Sequence, residues 1–113
     1  LSIDLKRFDN FKDAQLRSLD VVSATHIKLN VAVQDSARAF DWITLTLNFI
    51  GVTDARLLDS KKLQFVDMSE GVSLLHVNKE FAFAIGACYN ISTIKNSTLY
   101  IIFQDLKYQE GQF

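Results

Sequence analysis

The sequence predicts an all-β or β-dominated α+β domain, an antiparallel sandwich or flattened barrel with at most one short helix. Three observations predict it. Apolar and polar residues alternate with a period of two over several stretches, which places one set of side chains on a buried face. Brief polar connections separate those stretches, the spacing of strands rather than of helices. The 113 residues contain no proline and four glycines, so no linker divides the chain and residues 1–113 read as a single domain.

Taken in order, Lys6 to Asp13 fits a short helix that places Phe8 and Phe11 on one face at i, i+3 spacing. Leu16 to Val22 reads as a strand, joined through Ser23-Ala24-Thr25 to a second strand, residues 26–33, with Ile27, Leu29, Val31 and Val33 inward. Gln34 to Arg38 is polar and suits a connection. The clearest strand follows at residues 42–50. Ile43, Leu45, Leu47 and Phe49 alternate there with Trp42, Thr44, Thr46 and Asn48, and Gly51 ends the run. Asp54 to Val66 fits either a helix or two short strands split at Asp59-Ser60-Lys61-Lys62, and β-favouring Phe65-Val66 tips the reading toward strands.

Val72 to Val77 reads as a strand, Asn78-Lys79 as a tight turn, and Glu80 to Tyr89 as the returning strand. One face of that strand carries Phe81, Phe83, Ile85, Ala87 and Tyr89. The other carries Ala82, Ala84, Gly86 and Cys88, small residues that predict close packing by another element or a narrow cavity. Leu99 to Phe103 is continuously apolar, the mark of a strand buried on both faces. Leu106 to Tyr108 either continues this strand or re-enters the sheet after Asp105.

Composition argues against several partners. The longest apolar runs, such as Phe81 to Ala87, fall far short of the ~20 residues of a spanning helix, so no membrane partner is expected. Twelve Lys and Arg against thirteen Asp and Glu give a formal charge of −1. The only adjacent basic pairs are Lys6-Arg7 and Lys61-Lys62, which is no phosphate-binding stripe, and nucleic acid is not expected. Cys88 is the single cysteine, so no intramolecular disulfide forms, and a reducing cytoplasmic location is expected. Leu1-Ser2-Ile3-Asp4 has neither the basic nor the apolar region of a leader. Without export, Asn90-Ile91-Ser92 and Asn96-Ser97-Thr98 are not expected to be glycosylated.

Catalytic chemistry finds little purchase. His76 and Cys88 are the one Cys–His combination that a hairpin would bring together, yet a thiol among alanines is normally inert packing. His26 and His76 lack neighbouring ligands, and Asp54, Asp59, Asp67 and Glu70 form no calcium loop. Ser92-Thr93-Ile94-Lys95 matches S-x-x-K without the companion motifs of the enzymes that use it. No phosphate-cradling glycine loop is present. Asp9, Asp13, Asp35 and Asp41 are the carboxylates whose convergence would make acid–base work possible. No enzyme activity, metal site or cofactor is therefore expected. The candidate binding residues are Trp42, Thr44 and Thr46, which alternation places together on the face opposite the core, where a lone Trp serves as an interface anchor or ligand platform unless a second packed layer covers it.

Two segments carry a family resemblance. Phe11-Lys12-Asp13-Ala14-Gln15-Leu16-Arg17-Ser18-Leu19 resembles an opening of the form F-H-D-A followed by spaced apolar residues, with Lys12 at the position of the His. Ile43 to Val52 is similar to that group's strand ending in F-x-G-V. The group comprises small bacterial immunity-protein-like domains of polymorphic toxin systems, the immunity protein 50 type. The resemblance implies a cytosolic β-domain that binds and neutralises a partner protein.

The leading expectation is a non-enzymatic protein-binding module. Its rival is a small-molecule-binding β-domain built on the small-residue face Ala82, Ala84, Gly86 and Cys88. Because no proline protects the sheet edges, a homodimer through those edges is also expected.

Overall fold

The computed structural model describes residues 3–113; Leu1 and Ser2 of the opening tetrapeptide lie outside the described residues. Eight strands form: β1 (Gln15–Ser23), β2 (His26–Asp35), β3 (Asp41–Ile50), β4 (Asp54–Arg56), β5 (Val72–Val77), β6 (Glu80–Ile85), β7 (Tyr100–Phe103) and β8 (Asp105–Gln112). They make two antiparallel four-stranded sheets in the orders β1-β2-β3-β8 and β4-β7-β6-β5. The inner faces pack together as a sandwich. Phe49 of the first sheet lies 5.1 Å from Phe83 and 5.0 Å from Phe103 of the second, ring centre to ring centre. Alternation governs the first sheet, where Ile43, Leu45, Leu47 and Phe49 are buried and their neighbours half-buried. In β7 all four residues are buried, as its unbroken apolar sequence requires.

The chain changes sheets twice at one corner. β3 passes to β4 through Gly51-Val52-Thr53, and β7 passes to β8 through Gln104 alone. The crossings are tied together, because Gln104 N–H donates to the Ile50 carbonyl at 3.0 Å and Thr53 N–H to the Ile102 carbonyl at 2.9 Å. Gly51 has φ +69°, and a Cβ there would stand 2.8 Å from Gln104 Oε1. Both the backbone angle and the close approach call for glycine.

Three predicted elements differ from the structure. The segment predicted as a helix over 6–13 is a 3-10 turn, Leu5–Phe11, capped by Asp4 and interrupted by positive φ at Asp9, Asn10 and Phe11. Asp and Asn tolerate that region, and the kink drives Phe8 and Phe11 into the core with their rings edge to face at 6.2 Å. In 54–66 the split at Asp59 is correct, but only the first half is a strand. Asp59 accepts from Lys61 N–H at 3.0 Å and starts a 3-10 turn, Ser60–Phe65, anchored by buried Leu63 while Phe65 is exposed. The strand predicted over 80–89 ends at Ile85, because Gly86 at φ +99° turns the chain away.

That turn leads into α1 (Ile91–Lys95), closed at its start by a capping box. Asn90 Oδ1 accepts from Thr93 N–H, and Thr93 Oγ1 accepts from Asn90 N–H. Ile94 of α1, Cys88, Tyr100 and Ile102 pack on Ala82 and Ala84, forming a second apolar cluster outside the sandwich core. No described helix is long and apolar enough to cross a membrane.

Candidate functional site

The outer face of the β1-β2-β3-β8 sheet carries Trp42, Thr44 and Thr46, as period-two patterning requires. The register aligns Ser18, Asn30 and Thr46 across three strands. Thr46 Oγ1 donates to Asn30 Oδ1 at 2.7 Å, and Asn30 Nδ2 donates to Ser18 Oγ at 2.7 Å. Thr44 Oγ1 donates to the Gln112 carbonyl at 3.2 Å, and His26 Nε2 lies 2.9 Å from Asn48 Oδ1. The middle of this face is thus a polar ladder whose groups already satisfy one another.

At one end the ladder gives way to aromatic surface. Phe113 lies beside Trp42 with ring centres 5.7 Å apart, and the Arg17 guanidinium stands 4.6 Å over the Phe113 ring. Ala32, on the same outer face, is fully buried, so the surrounding side chains close over it. Trp42 itself is half-buried and Phe113 exposed. The cluster combines apolar area with a guanidinium, the composition of an interface centre.

A shallow groove of about 330 Å³ continues from Trp42 and Phe113 to Arg38 and Glu110. Arg38 and Glu110 of this groove also belong to an ion cluster centred on Asp35, whose side chain is wholly buried. Arg7 Nε donates to Asp35 Oδ1 at 2.8 Å and Arg7 Nη2 to Asp35 Oδ2 at 2.6 Å. Arg7 also bonds both Glu110 oxygens, at 2.8 and 3.1 Å, and Arg38 reaches Asp35 at 3.3 Å and Glu110 at 3.2 Å. The hydrogen bonds from Arg7 hold the Asp35 carboxyl below the usual range, against the opposing effect of burial. They likewise push the Arg7 guanidinium up. A carboxylate lowered in this way is a poor general acid.

Of the four carboxylates named for acid–base work, Asp35 and Asp41 are register partners across β2 and β3. Asp9 and Asp13 are exposed near the kinked 3-10 turn, and only Asp35 joins the ion cluster. The arginines that hold it come from positions 28 residues earlier and 3 later, and Glu110 is 103 residues from Arg7. No local sequence signal marks such a set.

His76 and Cys88 do not meet. His76 stacks on its register partner Phe81 at 4.5 Å, whereas Cys88 N–H donates to Ser73 Oγ at 2.8 Å and its thiol points to the Thr93 carbonyl at 3.6 Å. Burial pushes the Cys88 thiol up. On the small-residue face, Ile94, Tyr100 and Ile102 pack on Ala82, Ala84 and Cys88; Ala82 borders a pocket of about 150 Å³, and Gly86 borders an open one of about 500 Å³ beside Phe65 and Ser97. Lys95 of the S-x-x-K match stands 3.7 Å from Asp54 Oδ2. Among the described residues no three His, Cys, Asp or Glu side chains converge as metal ligands.

Fold and site together define a two-sheet antiparallel sandwich in which, among the described residues, one sheet face is left uncovered, with an aromatic–arginine cluster at its end. No family model matches the chain, and neither a curated protein nor a solved structure is significantly similar to it.

Proposed function

We propose that this chain is a non-enzymatic protein-binding module of the cytosol, immunity-like in role, whose docking surface is the outer face of the β1-β2-β3-β8 sheet. One observation carries the reading: the only tryptophan of the chain lies on the uncovered sheet face beside Phe113 and Arg17. Hydrogen-bonded threonine and asparagine side chains around it present a surface that loses few water contacts when covered. Tryptophan and arginine are the residue types that dominate interface energetics. A toxin-like protein is the partner class, and self-association through a sheet edge is a second interaction of the same chain.

Trp42 supplies its own probe. Titration of the purified chain with the candidate toxin is expected to shift the tryptophan emission and to abolish the toxin's activity. Trp42→Ala is expected to weaken the complex by roughly 2 kcal/mol, about thirtyfold in Kd, with little change in melting temperature. Equal affinity of the variant and the parent chain would overturn the assignment of this face.

A further inference from the structure

The sandwich has four sheet edges, and three of them are protected. The 3-10 turn Ser60–Phe65 lies against β1, where Ser60 Oγ donates to the Leu19 carbonyl at 3.4 Å. β4 is three residues long, too short to template a partner strand. β8 carries Asp105, Lys107 and Glu110 along its length, and charge on an edge discourages pairing. The fourth edge is different. β5 runs Val72-Ser73-Leu74-Leu75-His76-Val77 without an Asp, Glu, Lys or Arg, and its register with β6 is unbroken by any bulge.

We propose that β5 is the self-association edge, pairing antiparallel with β5 of a second copy to make one continuous eight-stranded sheet. The assignment rests on the proposed self-association of the chain. A two-fold axis through Leu75 keeps inward residues inward: Leu74 faces His76 of the second copy, and Ser73 faces its Val77. At the ends of β5 the same pairing brings exposed Lys79, in the β5–β6 turn, toward exposed Glu70 of the second copy, beside Gly71, which is buried against the Asn10 carbonyl. Symmetry repeats this contact at the other end. Opposite charges therefore bracket an uncharged strand on both sides, and only the antiparallel arrangement brings them together.

Sedimentation velocity across low-micromolar to near-millimolar concentration reads the state of the chain. The parent chain is expected to dimerise, and Leu75→Lys, which sets two ammonium groups face to face on the axis, is expected to remain monomeric. Lys79→Glu is expected to weaken the dimer about tenfold, and Glu70→Lys combined with Lys79→Glu to restore it. These two positions are solvent-exposed, so the charge-swap series decides the matter if Leu75→Lys fails to fold by circular dichroism. A parent chain that stays monomeric throughout overturns self-association itself. A dimer indifferent to the charge swap overturns β5 while leaving self-association standing, and a dimer lost in Trp42→Ala places the contact on the other sheet's outer face.

Discussion

The two outer faces of the sandwich are treated in opposite ways. Over β6 and β7, the turn at Gly86 brings Cys88 and α1 back across the sheet, and Ala82, Ala84, Tyr100 and Ile102 are buried beneath Ile94. Over β2 and β3 no element returns among the described residues, and the side chains there satisfy one another through Thr46–Asn30–Ser18 instead. The covered face is built from small residues because a helix must approach it closely. The open face is built from residues that tolerate water yet leave few bonds unmade. A Trp is conspicuous on the second kind of surface in a way it would not be on the first.

The largest expected effect on this contrast lies beneath α1. Ile94→Ala removes the one buried residue of that helix and is expected to cost about 2–5 kcal/mol in urea unfolding. If the loss is below ~1 kcal/mol, α1 is a loose flap and the face beneath it counts as open.

Acid comes next. The Asp35 carboxyl titrates lower in the folded chain than its ordinary value of 3.8. The stabilisation this represents is therefore complete above about pH 4 and is lost as pH falls further, when protonation breaks the Arg7 pairing. Asp35→Asn is expected to lower the melting temperature at neutral pH by about 10 °C and to flatten its decline below pH ~4. An unchanged acid limb would assign acid sensitivity to other carboxylates.

The smallest effect belongs to the open face. Thr46→Val deletes one hydroxyl in the ladder and is expected to cost about 1 kcal/mol or less in the same urea assay. A cost comparable to that of Ile94→Ala would mean that the ladder, rather than solvent, is what keeps this face in place.

The elements legible in the sequence were those whose pattern is set by one sheet face at a time. β2 and β3 announce themselves through alternation, and β7 through an unbroken apolar run. The helix α1 has a single buried residue and so no apolar period. Its signal was the pair Asn90 and Thr93, a capping box with Thr in place of the usual Glu or Gln. Phe65-Val66 favoured a strand on propensity, yet tertiary packing through Leu63 fixed a 3-10 turn and left Phe65 in solvent. Gly86 was legible as a small side chain but acts as a left-handed turn, a reading that its position inside an apolar run allowed. Of the candidate site, Trp42, Thr44 and Thr46 followed from alternation alone. Phe113 and Arg17 did not, because their meeting depends on the strand order that sets β1 and β8 on either side of the central pair.

That strand order also dictates when the open face can exist. β3 pairs along its whole outer side with β8, from Ile43 opposite Gln112 to Ile50 opposite Asp105, so the two strands are separated by the entire second sheet in sequence. On the ribosome, β1, β2 and β3 emerge as a meander while the strand that will close β3 has yet to be synthesised. Until residues 105–112 arrive, β3 is a bare edge, Trp42 has no Phe113 beside it and Arg7 has no Glu110. Such long-range pairing slows folding relative to a chain of hairpins. Residues 105–112 are thus what turns β3 from an edge strand into an interior one.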